Sequence, residues 1–224
     1  MVAATSAFDL AKRASRAAEL PLVGGALCLD FTNTVSGLHE GEHEREHLHA
    51  YEHLIDWAVH AGAIEAGQAR LLANRAREDG SAAARVLHRA LALRDAVHDV
   101  FAALAQHAAI PERALEGFNA ALADASRHSR VLPAKQGFAW GWDDPAARLD
   151  SPLWPVLRSA ADLLTASKLD RIKQCPYPHC GWLFLDLSKN KSRRWCEMSV
   201  CGNRTKARRH YLREKQMSQR PWRG

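Results

Sequence analysis

Four cysteines fall within 27 residues, Cys175, Cys180, Cys196 and Cys201, in the pattern C-x4-C-x15-C-x4-C. Two close pairs separated by a loop suit a tetrahedral zinc site, because each pair sits on a tight turn that directs two sulfurs at one point. Turn-forming residues stand in place: Pro176 and Pro178 lie inside the first pair, and Gly181 and Gly202 directly follow the second cysteine of each. A segment of about 50 residues with few large apolar side chains has little core of its own, and a metal would supply the missing stability. Disulfides and an iron–sulfur cluster are the alternatives; the paired layout disfavours the first and the spacing is not that of a ferredoxin. The preferred reading is one structural Zn2+, since four thiolates fill the shell and leave no position for a catalytic water. His179 adjoins Cys180 and reads as solvent-facing or outside the metal's own ligands, and Cys28, alone in an apolar segment, reads as a buried structural thiol.

Charge is distributed unevenly around that site. The 224 residues carry a formal +6. Residues 1–167 hold 16 basic and 21 acidic side chains, a balance of −5, whereas residues 168–224 hold 15 basic and 4 acidic, a balance of +11. Zinc with four thiolates carries −2, so the excess survives metal binding. Lys189, Lys191, Arg193 and Arg194 lie between the cysteine pairs, and Arg204, Lys206, Arg208, Arg209 and Arg213 follow the last cysteine. On a helix starting near Asn203, Lys206, Arg209 and Arg213 share one face, with Ala207 and Tyr211 opposite and placed to pack on the zinc core. Such a surface suits phosphate, and six to eight contacts predict a log–log salt slope of roughly −5 to −7. The alternatives are a solvated surface or docking on the acidic body. Asn203 and Arg204 either read bases or cap a helix and pair with Asp186.

A second cluster contains His39, His43, His47, His49 and His53 among Glu40, Glu42, Glu44 and Glu46. On a helix, His39, His43 and His47 would line one face, a geometry for metal binding or a response to pH. His43-Glu44-Arg45-Glu46-His47 satisfies the zinc-protease pattern H-E-x-x-H literally. The stretch is almost wholly polar, however, and chance matches are common in such composition, so a solvated surface is the preferred reading. No phosphate-binding glycine loop, nucleophile elbow or dinucleotide fingerprint occurs, and Gly24-Gly25 reads as a turn.

The elements that must position these groups are mainly helical. Leu48, Tyr51, Leu54, Ile55, Ala58 and Val59 recur at spacings of three and four, as do apolar residues over 81–107, and Leu115, Phe118 and Leu122 suggest another helix. Residues 128–145 predict a short β-hairpin from the alternation of Phe138, Trp140 and Trp142, and a last body helix runs from about Pro152 to Leu164. Residues 22–34 are a compact apolar segment, either a strand or a buried helix, and the first twenty a leader or one short helix. The expected fold is mainly α with minor β. It comprises a multi-helical body over 1–167 with a β-hairpin, and a small zinc-binding module over 168–224 touching it without a linker. No apolar run of about 18 residues and no secretory signal is present, which predicts a cytoplasmic protein with no membrane partner. Trp57 and Trp140 read as core aromatics, with a pocket lined by either as the alternative.

The stretch Cys196-Glu-Met-Ser-Val-Cys201-Gly202-Asn203-Arg204, preceded by Arg193-Arg194-Trp195, resembles the CGNR zinc finger, as does Cys180-Gly181-Trp182-Leu183-Phe184-Leu185-Asp186. The segment Gly25-Ala26-Leu27-Cys28-Leu29-Asp30-Phe31-Thr32-Asn33-Thr34 is similar to the opening of the ABATE domain, which commonly precedes that finger. The resemblance implies a bacterial stress-induced transcription regulator rather than an enzyme. DNA would be its partner, with a small-molecule effector and a homodimer as possibilities for the helical body. The alternative is a zinc-stabilised interaction module whose basic finger docks on a protein partner or on its own acidic body.

Overall fold

A computed structural model describes residues 16–37 and 45–218, the side chains of 216–218 excepted. The described residues form seven α-helices: α1 (Leu27–Thr32), α2 (Tyr51–His60), α3 (Ala66–Glu78), α4 (Gly80–Ala105), α5 (Glu112–Ser126), α6 (Trp154–Leu164) and α7 (Asn203–Ser218). Three two-stranded antiparallel pairs join them: β1 (Val35–Ser36) with β2 (Arg45–Glu46), β3 (Ser129–Ala134) with β4 (Gly137–Trp142), and β5 (Ile172–Gln174) with β6 (Leu183–Leu185). The mainly α expectation holds, with the helices at 51–60, 80–105, 112–126 and 154–164 and the hairpin where periodicity puts them. The segment 22–34 resolves into a bend at Gly24–Ala26 followed by the short buried helix α1. Of the first twenty residues, Arg16–Glu19 form one 3-10 turn and 1–15 lie outside the described residues.

α4 is the central rod. Asp79 caps it by accepting from the Ala82 amide at 2.8 Å, and Val86, Ala90, Leu93, Val97 and Phe101 form its buried stripe. Helices α1, α2, α3 and α5 pack on it, and α6 closes the layer against α1 and α5. Trp57 and Phe31 meet in the middle with ring centroids 5.1 Å apart. Arg94, 4% exposed on α4, pairs with Glu46 at 2.8 Å. Glu46 also accepts from the amides of His47 and Leu48, so β2 is tied to the rod.

The β3–β4 hairpin departs from the core. Val131 pairs with Trp140 and Pro133 with Phe138, all on one face. Only Trp142, at the root, reaches the core, where it tilts against Trp154 at 5.7 Å. Trp140 is 61% exposed and Phe138 74%, and Arg158 lies over the Trp140 ring at 4.1 Å. Trp57 is thus fully buried core and Trp140 a surface residue.

The boundary expected at 167/168 is a seam with a shared core. Ile172, Leu183 and Leu185 belong to the same apolar cluster as Phe31 and Trp57. Asn33, buried at the end of α1, donates to the Leu183 carbonyl at 2.9 Å and accepts from the Leu183 amide at 2.9 Å. The Leu185 amide donates to Gly24 O at 2.7 Å and the Gly37 amide to Cys180 O at 3.0 Å. The Trp182 indole donates to Val35 O at 2.8 Å. A Cβ on Gly24 would lie 2.8–2.9 Å from the backbone N and Oδ1 of Asp30, so only glycine allows this approach.

Two outcomes follow. Asn33→Ala leaves both main-chain groups of Leu183 buried and unpaired, and is expected to lower unfolding free energy by about 2–4 kcal/mol in urea titrations. Asp30 accepts from the Gly24 amide at 2.7 Å, yet burial pushes its carboxyl up to about 6. The fold therefore favours the protonated acid, and that contribution is lost as pH rises from about 4 through 6. Asp30→Asn is expected to gain in thermal midpoint over the parent as pH goes from 4.5 to 7.5, and a constant difference would contradict it.

Candidate metal centre and basic surface

β5 delivers the first cysteine pair. The Cys175 amide donates to Trp182 O at 2.8 Å and the Cys180 amide to Tyr177 O at 3.0 Å, closing a tight turn. Gly181 adopts φ +76°, the left-handed conformation that favours glycine. The second pair is set by a π-helical turn, Met198–Gly202, in which the Cys201 amide donates to Glu197 O at 3.0 Å. Gly202 is helical there, so its role differs from that of Gly181. Phe184 lies buried beside the thiols, with Trp182 and Trp195 packed against them.

The sulfurs of Cys175, Cys180, Cys196 and Cys201 all lie within 4.8 Å of one another and all four residues are buried. Cys180 and Cys196 are 3.5 Å apart, Cys196 and Cys201 3.6 Å. A tetrahedron with zinc–sulfur bonds of about 2.3 Å has edges of about 3.8 Å, so the donor set and its spacing fit one zinc ion. As thiols the four cannot all ionise together: hydrogen bonding from Cys180, then Cys196 and Cys201, pulls Cys175 down, while Cys175 pushes Cys180 and Cys196 up. A divalent cation removes that conflict by stabilising four thiolates at once.

The cations predicted to face nucleic acid separate into two groups. Arg193 turns inward, donating to Val23 O at 2.8 Å, to Cys196 O and to Trp195 O at 3.2 Å, with its guanidinium 4.4 Å from the Phe184 ring centre. It joins the seam to the metal turn, a role its place in a basic run conceals. Lys191 pairs with Asp170. Lys189 and Arg194 remain exposed, Arg194 5.2 Å over Trp195.

Asp186 is not the partner of Asn203 or Arg204. It is buried, and burial opposes its charge, but Lys173 at 2.6 Å and the Ser188 hydroxyl and amide outweigh this and hold its carboxyl well below the usual range; it also accepts from the Arg193 amide at 3.0 Å. The Asn203 carboxamide instead donates to Ser199 O at 3.0 Å.

α7 starts from this anchor: Thr205 donates to Cys201 O at 2.8 Å. Beyond that turn the helix leaves the molecule. Ala207 is exposed and Tyr211 is 62% exposed, contrary to the expectation that they pack on the zinc core. Arg204, Lys206, Arg208, Arg209 and Arg213 are all exposed, with no ion pair among the described residues.

Residues 25–167 match the family model ABATE, described as "Putative stress-induced transcription regulator". The chain belongs to the ABATE family. Residues 171–214 match the CGNR zinc finger, which covers all four cysteines and most of α7. No curated protein matches the chain. In this ABATE protein the family boundary falls at the seam, where β5 and β6 complete the body's core although they belong to the finger.

His39, His43 and Glu44 lie outside the described residues. Arg45 and Glu46 form β2, and the His47 amide donates to Thr34 O at 3.1 Å, so the H-E-x-x-H segment is not carried on a continuous helix. Burial pulls His47 and His53 down toward the neutral form, and His53 is buried with Nδ1 accepting from the His49 amide. Beside the metal turn lies a cavity of about 550 Å3 between Leu20, Arg45 and His47 of the body and Trp182, Val200 and Arg204 of the finger. Among the described residues no helix is long and apolar enough to cross a membrane.

The purified protein is expected to hold one zinc per chain, released as pH falls because protons compete for the thiolates. Cys196→Ser should lose the metal and lower the thermal midpoint, whereas His47→Ala should retain it; a colorimetric chelator assay reads both.

Proposed function

We propose that this ABATE protein is a DNA-binding transcription regulator in which the finger's zinc holds α7 by its first turn so that its cations meet phosphate. The observation that carries the reading is the state of α7: its five described basic residues from Arg204 to Arg213 are exposed and unpaired, although acidic side chains are plentiful on the body. At 100° per residue Lys206, Arg209 and Arg213 occupy one side of the helix and Arg204 and Arg208 the other. Cations on both sides suit a helix lying in a groove between two phosphate strands better than one lying flat on a single acidic surface. A helix of 16 residues extends about 24 Å, enough to cross a major groove about 12 Å wide.

The docking alternative finds support in the seam, but of a different kind. Backbone hydrogen bonds and apolar contacts from β5 and β6 join finger to body, and the ion pairs Lys173–Asp186 and Lys191–Asp170 close within the finger. Docking on the body thus leaves the basic helix available. The role proposed for the helical body is to sense an effector or mediate dimerisation, and the metal's role is structural, with no catalytic step.

The test is fluorescence anisotropy of the zinc-loaded full chain on duplex DNA at several salt concentrations. With Lys191 and Arg193 otherwise engaged, five to seven contacts remain and the log–log slope is expected between roughly −4 and −6. Lys206→Gln should reduce the slope by about 1 and weaken binding on all sequences alike. Binding that is undetectable at low salt, or indifferent to salt, would refute the reading.

A further inference from the structure

A cavity opens beside the metal turn, and the metal ligands Cys180, Cys196 and Cys201 form part of its wall. Its volume of about 550 Å3 falls inside the range of small-molecule sites, ~300–1,000 Å3, and it lies on the seam between two parts of the chain, a preferred location for such sites. Its walls divide by chemistry. Leu20 from the body and Trp182 and Val200 from the finger offer apolar surface, while Arg45 from the body and Arg204 from the finger, both exposed, are the cationic residues of the lining. No hydrogen bond or ion pair among the described residues engages either guanidinium, in contrast to Arg193 close by. Two arginines on the wall of one cavity, brought there by different parts of the fold, can offer it the planar donor forks that oxyanions match.

Opposing charges limit what can bind. Among the described residues, Glu197 is the one carboxylate on the cavity wall. The zinc-loaded thiolates would add −2 behind Cys180, Cys196 and Cys201, which also line the cavity. An anion is therefore attracted toward the arginines and repelled from the sulfurs, and whatever faces the sulfurs must be uncharged carbon. Inorganic phosphate or sulfate would leave the apolar wall of Leu20, Trp182 and Val200 uncovered. An anionic group on an apolar skeleton uses both walls.

We propose that this cavity is a binding site for a small organic carboxylate, with its oxyanion bridging Arg45 and Arg204 and its carbon skeleton against Leu20, Trp182 and Val200. The regulatory consequence rests on the DNA-binding reading. Arg204 is also the first cation of α7, so ligand and phosphate draw on one guanidinium, and each weakens the other's binding by the same factor.

The site is tested without DNA, by calorimetric titration of the zinc-loaded full chain with 2-naphthoate and, as its uncharged counterpart, 2-naphthamide. One naphthoate per chain is expected, bound at least about tenfold more tightly than the amide. Arg45→Gln and Arg204→Gln should each weaken naphthoate about tenfold with zinc content and thermal midpoint unchanged, while Lys135→Gln on the distant hairpin has no effect. Equal affinity for acid and amide would show an apolar cavity only and overturn the proposal. So would naphthoate binding that survives both arginine substitutions, or no heat at millimolar naphthoate. Because this titration contains no DNA, its failure leaves the salt-slope result standing, and failure of the salt slope leaves the cavity standing.

Discussion

Four sulfurs held within 4.8 Å of one another can be ionised together only around a cation, and much of the finger is arranged about that constraint. Cys175 and Cys180 fix the end of β5 and the turn into β6; Cys196 and Cys201 fix the π-helical turn from which α7 begins. The metal would thus tie together two stretches that also meet through Phe184, Trp182 and Trp195. Its charge has a wider effect. A zinc centre would carry −2 and buried Asp186 is a further negative charge, and each has a cation at hand: Lys173 pairs with Asp186 and Arg193 donates to Cys196 O.

The basic residues of the finger consequently do different jobs despite similar composition. Lys173 and Lys191 close ion pairs within the finger, and Arg193 reaches the body through Val23. The cations of α7 are turned outward. A net charge treats these groups alike. What separates them is whether a carbonyl or carboxylate from another segment lies within reach, and planar Arg193, stacked on Phe184 while donating to several carbonyls, illustrates why lysine would not substitute there.

Much of this architecture is legible in the order of residues. Cysteine spacing locates the metal centre because two knuckles need two short spacings, and the apolar periodicity of α2, α4 and α6 locates the body helices because each buries one stripe. The hairpin follows from alternation, but its exposure does not, since alternating aromatics at Phe138 and Trp140 look the same whether or not something covers them. Asn33 and Arg193 leave no such signal because their partners lie 150 and 170 residues away, and no local pattern records a contact at that range. Tyr211 misleads for a related reason: an apolar side chain opposite a cationic face implies a surface to pack on, and α7 has already left that surface.

The seam also governs when the protein can be completed. Val35, Asn33 and Val23 wait for partners 147, 150 and 170 residues later in the chain. At synthesis rates of 5–20 residues per second, roughly 8–30 s separate the emergence of α1 from that of β6. Throughout that interval the body lacks Ile172, Leu183 and Leu185 from its core, and the carboxamide of Asn33 has only water to bind. The last quarter of the chain is therefore as much a late-arriving wall of the first domain as a domain of its own. A nascent body without it is an unfinished core, open to chaperones and proteases until the cysteines close around their metal.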